Sequence, residues 1–161
     1  MNATTGTRPS TARAVADLEA GLILASVELA AAPGRVFQAL ISDEVLDWWV
    51  RPGVFDTREW SADARPAGCW RAAGMGRGQP YVLEGEFVTV AVPHTLVHTW
   101  RVAQEPATTT VSYRLADLAS GTRLTLRHCG FTVAPVCLNT CIGWETSFER
   151  LEELLAAIAH S

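Results

Sequence analysis

The chain contains no lysine: all 13 of its basic residues are arginine. A Schiff-base lysine and the phosphate-gripping lysine of a Walker loop are therefore both excluded. Long apolar runs are missing as well, and none approaches the ~18 residues of a membrane span. The first twenty residues hold no apolar stretch of the secretory kind. A cytoplasmic location is expected, with Cys69, Cys129, Cys137 and Cys141 as free thiols. Charge is sparse at 19%, and acidic residues outnumber basic ones 17 to 13 for a net charge of −4. A phosphate-binding surface wants the opposite sign, which argues against nucleic acid as a partner.

What is present suits one globular domain. A chain of 161 residues, 48% hydrophobic, buries about two-thirds of its surface on folding and needs no disulfide staples. Residues 1–19 are small, polar and Ala-rich and read as a flexible tail before a domain spanning 20–161. LILASVEL (22–29) reads as a first strand. Pro33 sits where a first helical residue belongs, ahead of Val36, Phe37 and Leu40 at helical spacing. A second short helix, EVLDWW, ends before Arg51-Pro52-Gly53.

Beyond Gly53 the helical period gives way to strands over 54–62, 68–73, 81–90, 96–102, 109–115 and 122–129, divided by Gly- and Pro-containing breaks. Such short connections join antiparallel neighbours; parallel crossovers would need helices between the strands. From 136 to 159 one long amphipathic helix carries Cys137, Cys141, Trp144, Phe148, Leu151, Leu155 and Ile158 at steps of three and four. The order strand, two helices, six strands, long helix predicts an α+β fold, a curved antiparallel sheet of about seven strands wrapped around the C-terminal helix.

Several spaced segments resemble one family: APGRVFQALISDEVLDWW (32–49), DARPAGCWR (63–71), GEFVTV (85–90), LVHTWR (96–101), GTRLTLRHCGF (121–131) and GWETSFERLEELL (143–155). The chain is similar to the homologues of the activator of the heat-shock protein 90 ATPase, a branch of the START-like, SRPBCC or helix-grip superfamily. The match runs over about 22–159. A glycine pair common in the family is Ala67-Gly68 here, and the additional domain of the eponymous activator is not expected in this chain. The resemblance implies a deep cavity between sheet and helix that takes small, mostly apolar molecules. It does not fix an activity.

Six tryptophans are many for this length. Trp70 and Trp144 read first as core, while Trp48 and Trp49 close the second helix where a cavity mouth belongs, and Phe55, Trp60 and Phe131 are further wall candidates. Alternation in Leu96, His98, Trp100 and Val102, and in Thr122, Leu124, Leu126 and His128, points both histidines inward. Each is ordinarily a hydrogen-bonded core residue. Together in one cavity they would hold a carbonyl or phenol, or move protons beside a carboxylate. Tyr81 and Tyr113 add hydroxyls.

Glu84 and Glu86 share a face with Val82, Val88 and Val90. Either they point inward, where burial would raise the Glu84 pKa and make it a general base, or a bulge at Gly85 turns them out. Cys137 and Cys141 lie one turn apart, and Cys129 adjoins His128. CxxxC lacks the zinc-knuckle spacing, so Cys141 reads as a small wall hydrophobe and neither metal nor cofactor is expected. Gly74-Met75-Gly76-Arg77-Gly78 leads into a strand, not a helix, and reads as a hairpin turn.

Four functions follow as expectations. The leading one is binding of a small hydrophobic or aromatic molecule, with no nucleic-acid or membrane partner and a homodimer left open. The others are a polyketide cyclase or dehydratase using a cavity His or Glu, sequestration of a natural product for resistance, and a regulatory partnership with chaperones.

Overall fold

The computed structural model describes residues 9–159, with side chains through residue 157. Nine antiparallel strands form one sheet ordered β1-β2-β9-β8-β7-β6-β5-β4-β3. They are β1 (Arg13–Asp17), β2 (Leu22–Leu29), β3 (Val50–Arg51), β4 (Phe55–Ala62), β5 (Cys69–Gly76), β6 (Gln79–Ala91), β7 (Thr95–Val102), β8 (Thr108–Leu118) and β9 (Gly121–Cys129). Helices α1 (Pro33–Ile41) and α2 (Val45–Trp48) interrupt the strands after β2, and α3 (Ala134–Ala159) closes the chain. The predicted helix-grip architecture is present, with nine strands instead of about seven.

Both additional strands have weak sequence signals. In β1 only Ala14 and Ala16 turn toward the core, while Val15 is 64% exposed. Period-2 patterning therefore runs backwards there, and the expected tail of 1–19 is, in this part, an edge strand; residues 1–8 lie outside the described residues. Pairing with β2 and carboxylates from α3 hold it. Glu145 accepts the Ala14 N–H at 2.8 Å, and Glu152 accepts from the Ser10 hydroxyl and from the Thr11 N–H and hydroxyl. Strand β3 is two residues long, too short for any periodicity.

Elsewhere alternation places side chains as expected. Ile23, Ala25, Val27 and Leu29 of β2 face the core, as do Leu96 and His98 of β7 and Leu124, Leu126 and His128 of β9. The buried stripe of α3 is Cys137, Cys141, Trp144, Phe148, Leu151 and Leu155. The side chain of Ile158 lies outside the described residues.

Strand β6 departs from the expected phase. Its inward face is Leu83, Gly85 and Phe87, and the bulge falls between Phe87 and Thr89, leaving Val88 55% exposed. Gly85 is not a bulge but a point of close approach. A Cβ there would lie 2.1 Å from the Thr99 carbonyl oxygen and 2.5 Å from the Trp70 indole nitrogen. Glu84 and Glu86 accordingly face outward, and Glu84 pairs with Arg101 across the strands at 3.2 Å. In the turn before β5, Ala67 holds φ +69°, a conformation glycine adopts without cost. At Gly68 a Cβ would strike the Asp63 carbonyl.

Candidate functional site

Indoles fill the middle of the interior. Trp49 at the end of α2 has its ring centroid within 6.0 Å of those of Trp48, Trp60, Trp70, Trp100 and Trp144. Most of their N–H groups find acceptors. Trp48 donates to the Ala39 carbonyl at 2.9 Å, Trp60 to Ile41 at 3.1 Å and Trp70 to Thr99 at 3.0 Å. Among the described residues the Trp49 indole N–H is the buried side-chain polar group without a hydrogen-bond partner. Its ring plane is nearly perpendicular to those of Trp48, Trp70 and Trp144.

Both predicted histidines are buried, and their registers bring them to one row of the sheet. Each lies opposite Val111 of β8, from either side. His98 Nδ1–H donates to the Thr99 carbonyl at 2.9 Å. Burial pushes its pKa down to about 4. His128 forms a directed chain. The Trp144 N–H donates to its Nδ1 at 3.0 Å, so the proton sits on Nε2 and faces the Thr109 hydroxyl at 2.7 Å. That hydroxyl in turn donates to the Trp100 carbonyl at 3.2 Å. Burial, with a smaller effect from His98, lowers the His128 pKa to about 3. Tyr113 is buried beside His98 and Trp144, and loss of solvent raises its pKa.

Next to this packed region lies a cavity open on one side to solvent. It measures about 330 Å3 and lies between the first half of α3 and the ends of β3–β7. Trp49, Trp100, Trp144, Phe55, Leu83 and Val54 supply its apolar wall. On α3, Gly143 and buried Ser147 keep side-chain volume low; a Cβ on Gly143 would sit at an ordinary 3.6 Å from the Phe55 ring. The polar wall includes Thr57 and Tyr81. The Thr57 hydroxyl donates to the Trp49 carbonyl at 2.8 Å and accepts from the Tyr81 O–H at 2.7 Å. Partial burial raises the Tyr81 pKa. Arg51, Arg77, Asn139 and Thr140 complete the rim.

Of the residues expected at a site, Trp49, Phe55, Tyr81, Trp100 and Trp144 line this cavity. Trp48 and Trp60 stand behind that wall. The expectation that two imidazoles look into the hollow is not met: His98, His128 and Tyr113 lie in the packed region, and Phe131 packs tilted against His128 with ring centroids 4.5 Å apart. Cys141, buried, borders a separate groove with Ala14 and Ala16 of β1. Glu84 is outside. Sequence reasoning missed Arg51, Arg77, Gly143 and Ser147. The two arginines sit in segments that read only as turns, and a glycine within the long helix was the available signal for missing volume.

The four cysteines are free thiols. Among the described residues no cluster of three or more His, Cys, Asp or Glu side chains is placed to hold a metal ion. No helix among them is long and apolar enough to cross a membrane.

A curled antiparallel sheet gripping one long C-terminal helix, with a hollow between them, defines the helix-grip or SRPBCC class. Within it the chain belongs to the family described as Activator of Hsp90 ATPase homolog 1-like protein, whose model matches residues 30–156. Solved structures agree on the fold. A Chromobacterium violaceum protein is 24% identical over 84% of this chain and 96% of its own, with a TM-score of 0.76. A Mycobacterium smegmatis protein is 21% identical, covering 91% and 97%, with a TM-score of 0.75. The AHSA1 protein of Silicibacter pomeroyi is 23% identical, covering 84% and 98%, with a TM-score of 0.71. No curated protein sequence matches the chain significantly.

Proposed function

We propose that this protein binds a small hydrophobic or aromatic molecule in the cavity between α3 and the ends of β3–β7. The observation that carries the reading is a tryptophan-walled space of about 330 Å3, within the size range of small-molecule sites. Covering ~200 Å2 of apolar ligand surface contributes about 5 kcal/mol before the costs of association. Gly143 supports the same reading. A mid-helix glycine costs roughly 0.5–1 kcal/mol relative to alanine, and here alanine would fit. The chain forgoes that stability and keeps the space.

The cyclase or dehydratase alternative needs an acid–base group on the cavity wall. The titratable groups among the lining residues are Arg51, Arg77 and Tyr81. Arginine stays charged, and the Tyr81 pKa is raised above its usual 10. Binding is therefore the function this geometry favours.

Thermal unfolding with indole and 2-naphthol tests the reading. At a hundredfold excess over Kd, a binder gains roughly 5–10 °C. Gly143→Leu, which fills the cavity against Phe55, abolishes the gain while remaining folded. No shift with either probe, or an undiminished shift in the filled variant, overturns the proposal.

A further inference from the structure

We infer that the preferred ligand is an anion, an aromatic or hydrophobic body bearing a carboxylate that Arg51 and Arg77 hold at the cavity rim. The inference rests on the binding function proposed above and adds the chemical class of the ligand. Its basis is a local charge opposite to that of the whole molecule. The protein carries a net charge of −4, yet two arginines and no carboxylate line this cavity. Arg35, Arg58, Arg65, Arg71, Arg101 and Arg123 each pair with an acidic side chain. No such pair engages Arg51 or Arg77 among the described residues.

Two turns bring these arginines to one rim. Arg51 opens a turn closed by the Val54 N–H on the Arg51 carbonyl at 2.9 Å, with Pro52 and Gly53 (φ +80°) between them. This is the sequence and conformation of a type II turn. Arg77 and Gly78, at φ +52° and +78°, form the two-residue tip of the β5–β6 hairpin. The Arg77 N–H donates to the Val54 carbonyl at 2.8 Å, joining one tip to the other. Position 77 is left-handed, where hairpins ordinarily carry Gly, Asn or Asp. An arginine held there against backbone preference, over an apolar cavity, points to use of its side chain. Guanidinium groups match a carboxylate's geometry and bind it through two parallel N–H bonds. The tryptophan wall would take the body of the ligand and the rim its charge.

Calorimetric titration of the full chain with acid–amide pairs tests this: 2-naphthoate against 2-naphthamide, and indole-3-acetate against indole-3-acetamide. The acids are expected to bind at least about tenfold more tightly than the amides, and added salt should reduce that preference. Arg51→Gln and Arg77→Gln each remove most of it. Arg114→Gln takes one charge from the exposed outer face of β8 and leaves the preference intact. Arg77→Gly relieves the left-handed backbone, so it raises the unfolding midpoint while weakening the acids alone. A merely structural arginine would not separate those two readouts. Equal binding of acid and amide, or a preference unchanged in both glutamine variants, overturns the inference and leaves the cavity function standing. Binding of indole and 2-naphthol but of neither acid also overturns it. If nothing binds, both proposals fall.

Discussion

The two ends of the interior are built on opposite principles. Around His98, His128 and Trp70, ring nitrogens are matched to specific partners, and a single backbone atom, the Thr99 carbonyl oxygen, accepts from both Trp70 and His98. Between α3 and the tips of β3–β6, small residues leave volume unfilled and two cations sit at the rim. At the packed end His98, His128 and Tyr113 are buried and none of them lines the cavity. At the hollow end Arg51 and Arg77 have no ion pair among the described residues. The contrast teaches that inward orientation of a histidine is a poor guide to function unless the volume beside it is also known.

The sharpest way to break the packed end is Gly85→Ala. The new methyl would meet the Thr99 oxygen at 2.1 Å and displace the Trp70 indole. Overpacking plus a lost buried hydrogen bond predicts a loss of roughly 3–4 kcal/mol in urea unfolding. A variant as stable as the parent would refute this account of the β6–β7 contact.

Acid comes next. The unfolded chain protonates its histidines near pH 6.5, whereas His98 and His128 stay neutral in the fold until about pH 4 and about 3. Stability from these groups is complete above about pH 6.5 and drains as pH falls toward 4. Each histidine accounts for a change on the order of 3 kcal/mol. Urea midpoints between pH 6.5 and 5, above most carboxylate titration, should fall steadily, and His128→Phe should shallow the slope. A flat profile in the parent would contradict the buried, neutral state.

The smallest expected change has the opposite sign. Gly143→Ala at the hollow end stabilises the ligand-free protein by roughly 0.5–1 kcal/mol through helix propensity, read as a slightly higher unfolding midpoint. A destabilising result would mean that the space beside Phe55 is already taken.

Much of the fold could be read from the chain because its strands alternate and its last helix keeps a regular apolar stripe. Strand β2 matches its expected bounds of 22–29. What escaped were elements too short or too small-sided to pattern: β1, whose inward residues are alanines, and the two-residue β3. The side on which Glu84 falls stayed open for a different reason. Counting back from Val90 crosses the bulge between Phe87 and Thr89, and one inserted residue reverses every side chain before it. Five tryptophan, tyrosine and phenylalanine positions of the cavity wall were legible as large aromatics near the right elements. Its place between sheet and last helix was implied by the family resemblance; which part of that interior stays unfilled was not legible, because a void depends on which neighbours are small, as at Gly143, across segments far apart in sequence.

The carboxylates that tie the first strand to the last helix also finish the sheet. With the Ala14 amide given to Glu145 and the Thr11 amide to Glu152, that margin has fewer open donors to template a strand from a neighbouring molecule. At the opposite margin, two residues of β3 offer too short a ladder to extend. Protection of this kind guards against edge-to-edge aggregation, and it lets a nine-stranded sheet leave Val15 bare on its outer surface without inviting growth into a fibre.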